Sequence, residues 1–428
     1  MHDGTRSGEH ETEARTRSAA VTTHNPSVPN TESPLLRRRL AVFAFMLVFG
    51  IGMSSWVVRT PAVRDLLTAS TAEMGLMLLG LSMGSMTGVL TSAAFVRRHG
   101  VRLTVTLGGA AFTLGIALVG VSASLSSTIG VFVGLALTGL GIGFSEIALN
   151  LEGAAIETAL GRSVLPAMHG CFSLGTVLGS VAGIGLTAIA FPVLWQLVGV
   201  AVISSVLLGT VIRQVSPVTG REVAATTGES ASAPHRSLLQ MAREPRVLML
   251  GAIVLALALA EGSAMDWLPL LMVDGHGASA TVGTIVFAGF ATAMTVGRFL
   301  GAPLLARFGN VAVLRVSALI SAAGIAIVVF VDSPFAAGCA VVLWGLGAAL
   351  GFPVTLSAAA DSDDPTSSVA AVATVGYIAF LVGPPLLGFL GEHFGLRGAM
   401  ILVLVLVLVA AASFLTRAAG PRMRNNGS

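Results

Sequence analysis

The sequence predicts an all-α membrane protein with twelve transmembrane helices in two pseudo-symmetric six-helix bundles. Three observations support this fold class: the composition, the spacing of the apolar runs and an internal repeat. Hydrophobic residues make up 54% of the chain and charged residues 11%, whereas an ordinary soluble domain is about 25% charged. A chain this apolar is typical of a polytopic membrane protein.

Twelve apolar runs are long enough to cross a hydrocarbon layer of roughly 30 Å as helices, which takes about 20 residues. We number them spans 1 to 12: 40–58, 74–96, 103–122, 129–151, 165–190, 193–212, 247–273, 281–305, 311–331, 335–357, 369–390 and 399–415. A polar segment divides them six and six. The predicted domains are a disordered cytoplasmic tail (1–39), an N-terminal bundle (40–212), a cytoplasmic linker (213–246), a C-terminal bundle (247–416) and a cytoplasmic tail (417–428).

The arginines test this topology independently, because cytoplasmic loops carry an excess of positive residues. All 24 basic residues are arginine. With both termini inside, 20 fall on the cytoplasmic side, Arg59, Arg64 and Arg397 fall outside, and Arg298 lies within span 8. The asymmetry predicts a multi-pass protein of the cell (inner) membrane with both termini in the cytoplasm. It also accounts for the net charge of +3 without a nucleic-acid partner.

An internal repeat relates the two halves at an offset of about 208 residues. Gly52-Met53-Ser54-Ser55-Trp56 in span 1 matches Ser263-Ala264-Met265-Asp266-Trp267 in span 7. Arg98-His99-Gly100 likewise matches Arg307-Phe308-Gly309. Two halves of six spans each predict parallel repeats related by an axis along the membrane normal.

Two loops carry a family resemblance. Arg97-Arg98-His99-Gly100-Val101-Arg102 after span 2 and Ala306-Arg307-Phe308-Gly309 after span 8 resemble degraded copies of the Asp-Arg-x-Gly-Arg signature of the major facilitator superfamily. The signature's aspartate is Arg97 in one copy and Ala306 in the other. Glu157 and Arg162, after span 4, are similar to an acid-x4-Arg pair of some members. The resemblance implies gating roles on the cytoplasmic side for Arg98, Glu157, Arg162 and Arg307.

More narrowly, the chain resembles the MosC/YbjJ-type branch, which is related to fucose permeases. The stretches that carry this likeness are Arg59-Thr60-Pro61-Ala62, Asn150-Leu151-Glu152-Gly153 and Glu261-Gly262-Ser263-Ala264-Met265-Asp266-Trp267. The resemblance implies a transporter of small sugar-like solutes. Fucose-type symporters carry acids in spans 1 and 4, whereas span 1 of this chain offers only Ser54 and Ser55.

Glu261 lies in the middle of an apolar run, where a charge costs at least about 2.5 kcal/mol and usually faces a bundle interior or an aqueous cavity. We interpret Glu261, or alternatively Asp266, as a proton-coupling carboxylate. The structural alternative is a permanent ion pair with Arg298 or Arg59. Because the two acids are about 140° apart on a helix, we expect one to face the cavity and the other to brace a neighbour. Trp267, beside Asp266, is a candidate for stacking on a sugar ring.

Further candidates come from spans 4, 5 and 11. Glu146 and Asn150 share a helical stripe with Gly139 and Gly143 and are predicted to contact substrate or proton; alternatively they form a cytoplasmic gate with Glu152. His169 aligns with Tyr377 when the halves are overlaid, and both residues, together with Arg298, are candidates for binding substrate or proton. The histidine is a candidate proton relay, or a hydrogen-bonded residue at the cytoplasmic mouth. Glycines repeated every fourth residue in spans 2 and 5 clear one face of each helix for close contact with another helix. The family resemblance places these spans at the seam between the halves, where smooth faces would let the halves rock; static packing is the alternative, because it needs the same glycines.

These observations predict a monomeric secondary transporter that lies in the lipid bilayer and moves a small polar, sugar- or polyol-like solute by proton-coupled alternating access. The alternatives are a proton-driven exporter of lipophilic compounds and a non-transporting membrane sensor or assembly partner. The sequence has no phosphate-binding loop, no metal-ligand spacing and no catalytic constellation. We therefore expect no cofactor, no metal and no enzymatic activity.

Overall fold

The computed structural model describes residues 32–162, 164–221, 244–362 and 364–418. The predicted tail as far as residue 31, the middle of the linker and the last ten residues lie outside this part. Every regular element in the described residues is helical. The all-α prediction is thus confirmed.

Ten described helices are long and apolar enough to cross a membrane. Spans 1 to 7 are Glu32–Val57, Thr71–His99, Val101–Ser124, Thr128–Leu160, Leu165–Ala188, Val193–Val211 and Pro245–Leu270. Ala280–Phe330 holds spans 8 and 9, Pro334–Ala348 and Gly351–Ala360 together make span 10, and Pro365–Ala418 holds spans 11 and 12. Counting the two double-length helices twice gives the twelve predicted spans. Span 1 begins eight residues earlier than predicted, so the Arg37-Arg38-Arg39 cluster is helical.

The two double-length helices are divided by glycines in a conformation that other residues rarely adopt. Gly309 (φ 75°, ψ 164°) separates spans 8 and 9, and Gly395 (φ 73°, ψ 158°) separates spans 11 and 12. Gly100, at the repeat-related position between spans 2 and 3, has nearly the same angles (φ 83°, ψ 166°). Because this region is essentially restricted to glycine, the matched glycines explain why the signature loops survive in both halves.

Within each half, the spans pair in the same way. Span 1 packs along span 5 and span 2 along span 4, as span 7 packs along span 11 and span 8 along span 10. Span 2 meets span 11 and span 5 meets span 8, and these contacts form the seam between the halves. The sequence prediction that spans 2 and 5 lie at the seam agrees with this packing.

The glycine rows in those spans, however, face away from the seam. A Cβ on Gly84 would overlap the carbonyl oxygen of Ala136 in span 4, and one on Gly175 would overlap that of Leu47 in span 1. The rows therefore hold each bundle together, and the prediction that they form smooth seams is wrong. Close approach across the seam uses other glycines: Gly75 against Gly388, and Gly170 against Phe299.

The side of the membrane opposite the linker, here called the far side, is sealed by contacts between the halves. After span 1 a short helix, Thr60–Leu67, carries Arg64, which forms an ion pair with Asp274 of the π-helical turn that ends span 7. Burial acts to lower the pKa of Arg64, but hydrogen bonds to Asp274 and Asp65 outweigh it and raise this pKa above its ordinary value. Nearby, the backbone N–H of Ala72 donates to Glu392 at 3.2 Å.

On the linker side, the start of the linker is bound to the N-terminal half. Arg38 donates to the fully buried Glu152 at 2.8 Å and to Thr219 at 3.2 Å. Glu152 also accepts from the backbone N–H of Ser216 at 3.1 Å. Arg102 donates to the carbonyl of Val215 at 2.7 Å. The residues up to about 221 are therefore part of the N-terminal bundle.

Candidate functional site

A cavity of about 750 Å³ lies between the two halves, within the usual size range of small-molecule sites. It reaches from the middle of the spans to the linker-side ends of spans 5 and 10, at Pro166 and Leu356. Within the described ranges, six charged or titratable side chains line it: Glu146, His169, Glu261, Asp266, Arg298 and Tyr377. Since the far side is sealed, the cavity opens toward the linker.

Glu261 and Arg298 form an ion pair in the cavity wall. The Arg298 Nη2 atom donates to Glu261 Oε1 at 2.8 Å, from span 8 to span 7. The guanidinium also reaches the hydroxyl of Ser173 in span 5, with Nη1 3.4 Å from Oγ. One arginine thus contacts both halves of the molecule. Of the two partners considered for Glu261 in the sequence, Arg298 is the one in contact. Arg59 instead binds the Phe191 carbonyl at the far end of span 5, at 2.6 Å.

Asp266 and Glu146 face the same cavity but, unlike Glu261, are not paired with an arginine among the described residues. Among the described residues, neither carboxyl group has a hydrogen-bond or ion-pair partner. The expectation that only one of Glu261 and Asp266 faces the cavity is wrong. The cavity covers an arc of about 140° of span 7, from Glu261 through Met265 to Asp266, which is wide enough to include both acids.

Asn150, His169 and Tyr377 lie around the linker-side part of the cavity. His169 Nε2 is 3.1 Å from Asn150 Oδ1, which joins span 5 to span 4. Asn150 is not among the residues that line the cavity, and it contacts the lining residue His169. Glu152 faces the interior of its own half and does not join these two residues in a gate. Tyr377 lies within electrostatic range of Glu146, and its hydroxyl has no hydrogen-bond partner among the described residues.

Trp267 does not reach the cavity. Its side chain is fully buried in the core, and six residues after Glu261 it points about 240° around the helix, outside the arc that faces the cavity. The prediction that Trp267 stacks on a sugar ring is therefore wrong for this conformation. Trp56 and Trp344 are also fully buried.

The residues predicted to gate the cytoplasmic side lie at the linker-side ends of the helices. Arg98, Arg162 and Arg307 are exposed, and Arg307 stacks over the ring of Phe308, 5.2 Å from its centroid. Glu157 accepts hydrogen bonds from the backbone N–H groups of Val164 and Leu165 at 2.8 and 3.2 Å, which caps the start of span 5.

Phe352 of span 10 and Phe380 of span 11, which were not predicted from the sequence, form an aromatic wall with the candidate residue Tyr377 of span 11. All three line the cavity, and the ring of Phe352 lies 6.2 Å from that of Tyr377 and 6.1 Å from that of Phe380. The Phe380 carbonyl accepts a hydrogen bond of 2.9 Å from Ser82 in the other half. Aromatic residues in an apolar span carry no sequence signal that separates the wall of a cavity from a packed core.

These features define a polytopic membrane protein with two helical halves around a shared cavity, the architecture of a secondary transporter. The family model of the Major Facilitator Superfamily matches residues 40–377. The chain belongs to this superfamily of membrane transporters, as its signature loops had indicated.

Two relatives extend over most of the chain. It is 29% identical over 392 residues to an uncharacterised MFS-type transporter of Yersinia pestis, which covers 91% of this chain and 97% of the relative. It is 24% identical over 386 residues to the membrane protein MosC of Rhizobium meliloti, which covers 88% of this chain and 90% of MosC. MosC is thus a relative, in agreement with the resemblance seen in the sequence.

Solved structures share the fold at low sequence identity. A variant of the nucleoside transporter NupG superposes with a TM-score of 0.73 at 12% identity, covering 88% of this chain and 99% of that one. The fucose:proton symporter FucP of E. coli superposes with a TM-score of 0.59 at 16% identity, covering 89% of this chain and 98% of that one. At these identities the likeness establishes the fold alone.

Proposed function

We propose that this transporter moves a small polar, sugar- or polyol-like solute across the inner membrane by proton-coupled alternating access. The observation that carries the proposal is the Arg298 guanidinium, which contacts Glu261 in one half and Ser173 in the other from the wall of a shared cavity. A solute that bonds to these groups contacts both halves, so its binding can favour one relative arrangement of the halves over another.

We assign the transported proton to Asp266. Glu261 already has a counter-charge in Arg298, whereas Asp266 has no partner among the described residues and protonation would remove an unpaired charge from a low-dielectric site. The other charged or titratable groups that the described residues place on this cavity are Glu146, His169 and Tyr377. The proposal therefore gives the proton-coupling role to Asp266, five residues after Glu261 in span 7.

The proposal includes the topology and the gate. Both termini and the linker are placed in the cytoplasm, and the two six-span bundles, the N-terminal one extended to about residue 221, are the moving units of a monomer. The Arg64–Asp274 pair closes the far side, and Arg98, Glu157, Arg162 and Arg307 come together on the cytoplasmic side when the cavity opens outward. In this scheme the structure is the inward-facing state.

One observation favours a second candidate, the exporter of lipophilic compounds. Met53, Met86 and Met265 line the cavity together with several aromatic side chains, and methionine-rich surfaces adapt to varied apolar ligands. An exporter would use the same proton gradient, but the transported compound would leave the cell as protons enter it.

The test is uptake by the purified protein in proteoliposomes with an acidic exterior, using radiolabelled fucose, glucose, myo-inositol and the lipophilic cation tetraphenylphosphonium. The proposal expects at least one polar solute to accumulate, and a protonophore to abolish the accumulation. Asp266→Asn is expected to equilibrate the solute without accumulating it. Asp332→Asn, which removes an exposed carboxylate remote from the cavity, is the control and retains accumulation.

Glu261→Gln separates the two assignments. We expect slower uptake that still depends on the pH gradient, because Arg298 loses its counter-charge while Asp266 stays in place. If Glu261→Gln loses accumulation and Asp266→Asn keeps it, the coupling proton belongs on Glu261. Movement of tetraphenylphosphonium alone would favour the exporter.

A further inference from the structure

Among the residues that the structure describes, the carboxyl groups on the cavity outnumber the arginines. Three carboxyl groups line it, Glu146, Glu261 and Asp266, and the described part of the chain places one arginine there, Arg298, which pairs with Glu261. With the transported proton assigned to Asp266, Glu146 remains as a second carboxyl group without a partner among the described residues, and a cation bound beside it would supply the counter-charge that lets it carry a negative charge there. A neutral sugar or polyol would not supply the missing positive charge, because its hydroxyl groups carry none.

The position of Glu146 gives a second, independent indication. It faces the cavity from span 4 of the N-terminal half, and Tyr377, in the aromatic wall of the C-terminal half, lies within its electrostatic range. The wall is continuous, with ring centroids 6.1 to 6.2 Å apart, and the Tyr377 hydroxyl has no described partner. Aromatic faces attract cations through their ring electrons, and ammonium groups are commonly held in this way.

We propose that the transported solute carries a protonated amine besides its hydroxyl groups, and that the ammonium binds between Glu146 and the aromatic wall of Phe352, Tyr377 and Phe380. The hydroxyl groups then face the Glu261–Arg298 pair. The ammonium subsite joins span 4 to spans 10 and 11, so occupancy contacts both halves. This inference rests on the proposed function, because it names the substrate class of the same cavity.

The experiment measures the binding of matched pairs of probes that differ in one hydroxyl or ammonium group: glucose with glucosamine, galactose with galactosamine, and glycerol with serinol. Isothermal titration of the purified protein at neutral pH gives the dissociation constant of each probe. In the unmodified protein we expect the ammonium member of at least one pair to bind ten-fold or more tightly than its neutral partner.

Two variants locate the subsite. Glu146→Gln keeps the size of the side chain and removes its charge, and should lower the ammonium preference at least ten-fold while leaving the affinity for neutral probes within two-fold. Phe352→Leu keeps the carboxylate and removes one aromatic face, and should lower the preference several-fold. Asp332→Asn is the matched control for the loss of a carboxylate, and should keep the full preference. Each variant is compared by its melting temperature, so that a folding defect is recognised.

The proposal is overturned if neutral probes bind as tightly as their ammonium partners, if no ammonium probe binds, or if Glu146→Gln retains the preference. These outcomes are separable from failure of the proposed function. Proton-driven uptake of a neutral sugar with no ammonium preference would keep the function and remove this inference. Ammonium binding without flux of any solute would remove the proposed transport function and keep the ammonium subsite.

Discussion

Span 1 and span 7 are repeat-related helices with the same architecture and different chemistry. Trp56 and Trp267 are both fully buried, and the indole N–H of each lacks a hydrogen-bond partner among the described residues. At the position that matches Asp266, however, span 1 has Ser55, whose hydroxyl donates to the carbonyl of Ile51 in its own helix at 2.7 Å. After Arg39, span 1 carries no charged side chain, whereas span 7 brings two carboxyl groups to the cavity.

The difference shows how a duplicated scaffold can hold an asymmetric site. The tryptophans and the glycine loops fix equivalent backbone positions in the two halves, whereas the charged residues are free to differ. The N-terminal half contributes its carboxyl group from span 4, as Glu146, and the C-terminal half contributes Glu261 and Asp266 from span 7. A solute between them therefore meets different chemistry on each side.

Arg298→Ala should have the largest effect on transport, because it breaks the one ion pair that the cavity contains among the described residues. Removing one partner of a buried pair typically costs several kcal/mol. Since the cavity hydrates this pair in part, we expect a loss of about 2 kcal/mol in the free energy of unfolding and no measurable transport. The checks are chemical denaturation in detergent and uptake in proteoliposomes.

Arg298→Lys is the matched control. It retains the positive charge but not the fork that reaches Glu261 and Ser173 together, so we expect near-normal stability with slow transport. Full transport by Arg298→Ala would contradict the role of this residue in joining the halves.

Gly175→Ala and Gly383→Ala sharpen the comparison at repeat-related positions. A Cβ at Gly175 would overlap the backbone of span 1 at Leu47, which cannot move aside, whereas at Gly383 it would meet the Leu259 side chain at 2.8 Å, which can change rotamer. We expect Gly175→Ala to cost about 3 kcal/mol of stability, the upper range for overpacking, and Gly383→Ala about 1 kcal/mol or less. Melting temperatures of the two variants decide the order.

Gly185→Ala supplies the baseline for this series. Nothing lies within 4 Å of the Cβ position there, so this substitution in span 5 should leave the melting temperature unchanged or slightly raised. Equal losses for Gly175→Ala and Gly383→Ala would contradict the view that the backbone contact at Gly175 yields less readily than the side-chain contact at Gly383.

Trp267→Phe and Trp56→Phe should have the smallest effect on function. Both side chains are buried away from the cavity, so we expect each variant to lose about 1–2 kcal/mol of stability from imperfect packing and to keep its affinity for solute. A titration with the best-binding probe measures this. A loss of affinity in Trp267→Phe alone would restore the stacking role that the sequence suggested.

The sequence was sufficient for the fold because hydropathy, arginine placement and repeat-related glycines are all local signals. The glycine rows in spans 2 and 5 were recognised as packing surfaces but assigned to the wrong neighbours, since spacing along one helix does not identify the helix it meets. The prediction for Trp267 is wrong for a related reason. Adjacent residues on a helix point in different directions, so the neighbour of Asp266 does not share its face.

The site was only partly predictable. Glu261 and Arg298 stand out as charges in apolar runs, and an ion pair between them is one of the structural alternatives that the sequence predicts. The aromatic wall and the Arg64–Asp274 closure depend on contacts between distant parts of the chain, 210 residues apart in the second case. Such contacts follow from how the halves meet, which one sequence does not specify.

Alternating access around the cavity is the central claim, and side-specific labelling of a cavity cysteine tests it most directly. Ser85 lines the cavity, so Ser85→Cys, combined with Cys171→Ala and Cys339→Ala, gives a single thiol for a membrane-impermeant maleimide. We predict fast labelling from the linker side, slow labelling from the far side, and several-fold faster far-side labelling when Arg64→Ala removes the ion pair with Asp274. Labelling from one side only, in both proteins, would contradict the account.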